Sequence, residues 1–248
     1  MCCLRSKLFA GLPLLRPAAH KPIVCYVTDR KSLTDAGIQA DSTARILQGV
    51  QVALAADVDW VQIREKDLPA SKLLELARRI AQFTTAQFAV SGHPVRILIN
   101  DRLDVALAAG AHGVHLGRES APVREVLQWC RAGNAPDNFV IGVSCHSLEE
   151  VREAEDAHAD YVFFGPVFDT PFKRPFGKPQ SVEKLGEVCR AVSIPVIAIG
   201  GVNQENAAAC IRAGAAGVAA IRIFQEAINA ETLRERVESI HNLSTEEK

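Results

Sequence analysis

The chain has 248 residues, of which 48% are apolar and 23% charged, and its formal net charge is −1. That balance suits a globular chain with a sizeable core; it excludes nucleic-acid or membrane binding through bulk charge and leaves room only for a local cationic pocket. The seven cysteines (Cys2, Cys3, Cys25, Cys130, Cys145, Cys189, Cys210) are odd in number, scattered and without a CxxC pair, which points to reduced thiols in a cytoplasm and against a disulfide framework or a zinc knuckle.

Residues 1–20 read as an N-terminal extension, either frayed and of poor order or a short leading helix. Arg5, Lys7 and Arg16 surround the apolar stretch Leu8–Leu15, which Pro13 interrupts and which is too short to span a bilayer or to act as a signal peptide. Short apolar runs then follow at Ile23–Thr28, Trp60–Ile63, Arg96–Ile99, Gly113–Leu116, Val140–Val143, Tyr161–Phe164, Pro195–Ile199 and Gly217–Ile221. They are rich in Val and Ile and do not alternate with polar residues, as strands buried on both faces do. Helical candidates lie between them, among them Ser71–Phe83, with Leu73, Leu74, Ala77 and Ile80 at helical spacing, Ser147–Ala157 and Asn203–Ala213. Strands alternating with helices predict a parallel sheet, and eight is the number that closes a single-domain (β/α)₈ TIM barrel over residues 21–241, with 242–248 as a C-terminal tail. An open doubly wound sheet is the alternative, but no GxGxxG follows the first run.

A small-residue motif recurs as Ala55–Val61, Ala108–Val114, Ala154–Val162 and Arg212–Val218, at a spacing of roughly two βα units. Each reads as a helix end, a tight turn and a buried strand, and therefore as scaffold. Function in such a barrel lies after the C-terminal ends of the strands. After the second run, Gln62, Arg64 and Lys66 share one side by period two, as an anion or heterocycle grip or as half of an internal salt bridge with Glu65. After the third, Asn100 and Asp101 offer oxygen ligands for a hard cation, or a cap for the next helix. His115 reads as structural. Ser144 and His146 are favoured over Cys145 as working groups, because neighbours on a strand point to opposite faces. The long loop from Gly165 to Lys178, with Lys173, Arg174 and aromatic anchors, reads as a lid over a diphosphate. Gly200 and Gly201 after the seventh run, with the backbone after the eighth, read as a barrel phosphate site or as a tight turn with Asn203 capping the next helix.

Taken in order, Gln62-Ile63-Arg64-Glu65-Lys66, Asn100-Asp101-Arg102, Gly113-Val114-His115-Leu116-Gly117, Gly142-Val143-Ser144, Gly165-Pro166-Val167-Phe168, Thr170, Lys173 and Ile199-Gly200-Gly201-Val202 resemble the thiamine phosphate synthase and thiazole tautomerase superfamily, across Ile23 to Phe224. The resemblance implies a (β/α)₈ fold and a transferase that joins hydroxymethylpyrimidine diphosphate to a thiazole phosphate with loss of pyrophosphate. It implies that Gln62, Ile63, Arg64, Glu65, Lys66, Asn100, Ser144 and Lys173 hold the pyrimidine diphosphate, and that Asp101 binds Mg²⁺. Thr170, Gly201, Ile221 and Arg222 would surround the thiazole phosphate, and Lys173, Ser144 and His146 form the catalytic set. The partners implied are small phosphorylated substrates; composition leaves a homo-oligomer open.

The sequence departs from the synthase pattern in three places. Ser120 stands where a second acidic metal ligand belongs, with Glu119 as a substitute one position away; Thr170-Pro171-Phe172-Lys173 replaces Thr-x-Thr-Lys; and Arg222 replaces a serine, a change that still suits a phosphate. The first two lean toward the tautomerase branch, which isomerises a thiazole carboxylate phosphate by proton transfer and has its acid/base histidine at the position of His146. Retention of Asp101 and of the whole Gln62–Lys66 segment leans toward the synthase. Two further alternatives are a non-catalytic binder of thiazole or thiamine phosphate and an unrelated phosphate-binding barrel such as a sugar-phosphate epimerase, against which the segments after the second and third runs argue.

Overall fold

The structure, a computed structural model, describes residues 21–32, 42–169, 179–227 and 229–243. The expected extension 1–20, residues 170–178 of the expected lid and residues 244–248 of the expected tail lie outside the described residues.

Eight strands, β1 (Ile23–Val27), β2 (Trp60–Ile63), β3 (Arg96–Asn100), β4 (Gly113–Leu116), β5 (Val140–Cys145), β6 (Tyr161–Phe164), β7 (Val196–Ile199) and β8 (Gly217–Ala220), close into a barrel in chain order. Every pair is parallel, including the β1–β8 seam, where Cys25 lies opposite Ala219. Helices α1 (Ser42–Ala55), α2 (Ala70–Ser91), α3 (Leu103–Ala109), α4 (Val123–Trp129), α5 (Leu148–Asp156), α6 (Val182–Ala191), α7 (Ala207–Arg212) and the single turn α8 (Arg222–Gln225) follow the strands in turn, and α9 (Ala230–His241) ends the fold. No described helix is long and apolar enough to cross a membrane.

The boundaries differ from the sequence expectation where partners decide them. β5 runs on through Ser144 and Cys145 because β6 supplies Phe163 and Phe164 opposite them. α2 runs past Phe83 to Ser91, where Gly92 takes the left-handed conformation that ends it. α7 starts late because the Asn203 side chain accepts from the N–H groups of Glu205 and Asn206 (both 3.0 Å) and holds that stretch as a turn.

Alternation along the strands separates two cores. Ile23, Cys25, Val27, Trp60, Leu98, Val140, Tyr161, Phe163, Ile197 and Ala219 fill the barrel interior, while the residues between them pack against the helices. Gly142 is inward-facing and lies beside the Tyr161 ring; a Cβ there would sit 2.0 Å from Tyr161 Cζ. Gly142→Ala is therefore expected to lower the unfolding free energy by about 1–3 kcal/mol through overpacking, as read from the urea midpoint.

The recurring small-residue motif performs one job four times. Asp57, Gly110, His158 and Gly214 all take positive φ (59°, 67°, 64° and 102°). The next residue's N–H then returns to a carbonyl of the preceding helix: Val58 to Ala53, Ala111 to Ala106, Ala159 to Ala154, Ala215 to Cys210. In three repeats the following side chain also receives an N–H from the neighbouring strand. Asp59 takes Val24 (2.8 Å), His112 takes Ile97 (2.9 Å) and Asp160 takes Ile141 (2.7 Å). These contacts satisfy strand N–H groups at the bottom of the barrel and leave the opposite mouth to chemistry.

Candidate active site

The strand ends bring most of the sequence-predicted residues to one mouth. On β2, Gln62 and Arg64 continue the inward phase of Trp60. Gln62 is 1% exposed; its Nε2 donates to Asn100 Oδ1 (3.3 Å), while its Oε1 is buried with no partner among the described residues. Arg64 is half-buried, and its guanidinium is not engaged by a carboxylate among the described residues. Lys66 is exposed and reaches to 3.9 Å from Asp101 Oδ2.

Two other residues of the segment expected to hold the pyrimidine diphosphate, Ile63 and Glu65, turn their side chains away from the mouth. Ile63 is fully buried in the layer between strands and helices, because period two puts it on the outer face. Glu65 is buried under the β1 end, where its carboxylate accepts from Thr28 Oγ1 (2.7 Å) and Arg30 N (3.2 Å) and pairs with the Arg30 guanidinium. Burial raises the Glu65 pKa above the ordinary carboxylate range despite those bonds. Thr28 Oγ1 also accepts from Arg64 N (3.0 Å), so Glu65 and Thr28 together fix the main chain that carries Arg64.

β3 ends on Asn100 and then Asp101, which has φ 61°, a conformation that Asp tolerates better than most residues. Asn100 Nδ2 donates to Asp101 Oδ2 (2.6 Å), and Asp101 Oδ1 accepts from Gly117 N (3.0 Å) and from the Ser120 hydroxyl. Ser120 thus sits directly on Asp101, whereas Glu119 is exposed on the same turn. Among the described residues no group of three or more acidic, His or Cys side chains converges on a metal position.

His115 lies inside the barrel at 1% exposure. Its Nδ1 is 3.0 Å from Tyr161 Oη and its Nε2 2.9 Å from Ser144 Oγ, with the Phe163 ring 4.3 Å away by centroids. Burial pushes its pKa down to about 3, with the nearby Arg64 charge acting in the same direction and Asp101 against it, so the ring is neutral. Ser144 is half-buried and faces the mouth. His146 hydrogen-bonds the Gly165 carbonyl through Nδ1, and its N–H goes to Glu150 Oε2. Cys145 is 1% exposed on the outer face and its thiol is pushed up to about 12, chiefly by burial, so it is no nucleophile.

On the far side of the mouth, Gly200 (φ 92°) and Gly201 (φ 68°) turn under Phe168 and Asp169, and a Cβ on Gly201 would lie 2.7 Å from Phe168 Cβ. Ile221 packs on the interior core. Arg222 is exposed and lines a cleft of about 300 Å³ with Asn203, Glu205, Glu226 and Arg236. Thr170 and Lys173 lie outside the described residues. The sequence reading leaves out Thr28 and Tyr161. The signal for Tyr161 is the glycine across from it on β5, which becomes visible only when the register is known.

A family model described as thiamine monophosphate synthase matches residues 32–224. The chain belongs to that family. A putative thiamine-phosphate synthase of Geobacter sulfurreducens is 44% identical over 176 residues, 71% of this chain and 78% of that protein. The thiamine-phosphate synthase of a Roseiflexus species is 39% identical over 199 residues, covering 80% and 76%. Among solved structures, a thiamine phosphate pyrophosphorylase of Pyrococcus furiosus superposes with a TM-score of 0.72 at 30% identity, over 88% of this chain and 94% of that one. Against the synthase pattern that the sequence resembles, Ser120 is the departure with a structural consequence: it gives the Asp101 carboxylate a hydroxyl donor where a second carboxylate would stand.

Proposed function

We propose that this chain is a thiamine phosphate synthase, a transferase that displaces pyrophosphate from hydroxymethylpyrimidine diphosphate with the ring nitrogen of a thiazole phosphate. The observation that carries the reading is the convergence at one barrel mouth of Gln62, Arg64, Asn100, Asp101 and Ser144, in a chain that belongs to the family. The reaction needs charge neutralised on the leaving diphosphate and the two partners held in line; it needs no protein nucleophile. Arg64 and Lys66 are the cations for the diphosphate, joined by Lys173 of the β6 loop, while Gln62 and Asn100 present amides to the pyrimidine. Gln62 Oε1 supports this: it is a buried acceptor with no donor among the described residues, and a ligand amino group would supply one. The Gly200–Gly201 turn, Thr170, Ile221 and Arg222 take the thiazole phosphate.

The Asp101 carboxylate and the Ser120 hydroxyl on it are hard oxygen groups of the kind Mg²⁺ takes, and the ion accepts a single protein carboxylate when substrate phosphates and water complete its shell. Asp101 would hold the ion, with Ser120 beside it, and the ion would add positive charge at the leaving diphosphate. The same reading takes the enzyme as cytoplasmic, supported by its scattered thiols.

The test is direct. Purified protein, hydroxymethylpyrimidine diphosphate, thiazole phosphate and Mg²⁺ are expected to give thiamine phosphate, and chelator to abolish it. No product where a known synthase works would overturn the reading. Isomerisation of a thiazole carboxylate phosphate would then assign the tautomerase, and binding without turnover a ligand-binding relative.

A further inference from the structure

We infer that His115 is a positioning residue that holds Ser144 as a hydrogen-bond donor toward the mouth, through a relay that begins at the buried Tyr161 hydroxyl. The inference rests on the proposed function for the identity of the group Ser144 meets, a diphosphate oxygen, but the direction of the relay follows from the interior alone.

Tyr161 is fully buried in the barrel centre. Its ring sits over Gly142 and packs edge-on to Trp60 (centroids 4.9 Å), and among the described residues the hydroxyl has one hydrogen-bond partner, His115 Nδ1 at 3.0 Å. A buried phenol that does not donate leaves a polar hydrogen unpaired in a dry interior, which is costly. The arrangement that avoids this has Tyr161 donating to a bare Nδ1. A neutral imidazole carries one proton, so that proton is then on Nε2. Nε2–H donates to Ser144 Oγ across 2.9 Å. With one lone pair taken from below, the Ser144 proton has no acceptor in the relay and is left for a ligand.

The opposite tautomer would turn Ser144 inward as a donor to Nε2. An anion at the mouth would then meet only the serine's lone pairs. The relay thus makes Ser144 selective for acceptor groups, and an incoming diphosphate finds the hydroxyl already oriented. This assigns a use to a buried polar pair set among the Trp60 and Phe163 rings of the barrel interior. Gly142 becomes part of the same device, because it makes room for the tyrosine ring.

The experiment has two readouts. In ¹⁵N-labelled wild-type protein, the His115 ring nitrogens are expected to report a protonated Nε2 and a bare Nδ1; a protonated Nδ1 would overturn the inference. Calorimetric titration with inorganic pyrophosphate and Mg²⁺ is the second. Tyr161→Phe keeps the ring that fills the barrel and removes only the donor, and His115→Leu removes the relay; each is expected to weaken pyrophosphate binding about tenfold, near the loss in Ser144→Ala. His115→Gln offers a carbonyl to Tyr161 and an N–H to Ser144, and is expected to restore affinity to within about threefold of wild type. A glutamine variant as weak as the leucine variant, or Ser144→Ala binding like wild type, would overturn the relay. Neither readout needs turnover, so a chain that makes no thiamine phosphate would refute the proposed reaction while the tautomer and the affinities still judge the relay.

Discussion

Asp101→Asn is expected to lower kcat/KM for the pyrimidine diphosphate by about two to three orders of magnitude and to abolish the rise of rate with Mg²⁺. Asp101 is the carboxylate to which the mouth commits its donors: Asn100 on one oxygen, Gly117 N and the Ser120 hydroxyl on the other. Asparagine keeps an acceptor for Gly117 and Ser120, so the turn survives, but it carries no charge for a cation and sets an amide nitrogen against that of Asn100. The thermal midpoint is expected to move by only a few degrees, which separates lost chemistry from lost fold. Ser120→Asp tests the same point from the other side. It would set two carboxylates within hydrogen-bonding reach, a pair that repels without a cation and binds one better with it, and about a tenfold fall in the half-saturating Mg²⁺ concentration is expected. Unchanged Mg²⁺ dependence in both variants would remove Asp101 as the metal ligand.

The barrel was legible because eight buried runs and a recurring turn motif state the same architecture at two scales. Three runs, Trp60–Ile63, Gly113–Leu116 and Tyr161–Phe164, match their strands at both ends. The errors fall where tertiary partners set the boundary, as at Ser144 and Cys145, which stay in β5 only because β6 continues beside them. In the site, period two put Gln62 and Arg64 on one face, and the same rule, applied one residue further, puts Ile63 outside. What the chain could not display linearly is pairing between distant segments. Glu65 belongs to Thr28 and Arg30, 37 and 35 residues away. The His115–Tyr161–Ser144 relay spans separations of 46 and 29 residues. A polar residue on a strand announces that it needs a partner; only the register names it.

Arg64→Ala is the second large effect, expected at about two orders of magnitude in kcat/KM for the diphosphate substrate, with the KM for thiazole phosphate little changed. The main chain of Arg64 is pinned by Thr28 Oγ1, itself held by the buried Glu65 carboxylate, so the guanidinium is presented from a fixed base. Arg64 is half-buried and follows Gln62 on the inward phase of β2. A half-buried arginine with no carboxylate partner among the described residues loses part of its hydration with nothing returned from them until an anion arrives. The same logic predicts that Arg64→Ala leaves stability unchanged or slightly raised, since it removes a desolvated charge and no ion pair of the described residues. Arg64→Lys keeps the charge but loses the planar pair of donors, and recovery of about a tenth of wild-type kcat/KM is expected. Steady-state kinetics with each substrate varied in turn, beside urea unfolding of the same preparations, checks both halves. A large loss of stability with unchanged kinetics would make Arg64 a structural residue and would leave Lys66, and Lys173 from the β6 loop, as the cations for the diphosphate.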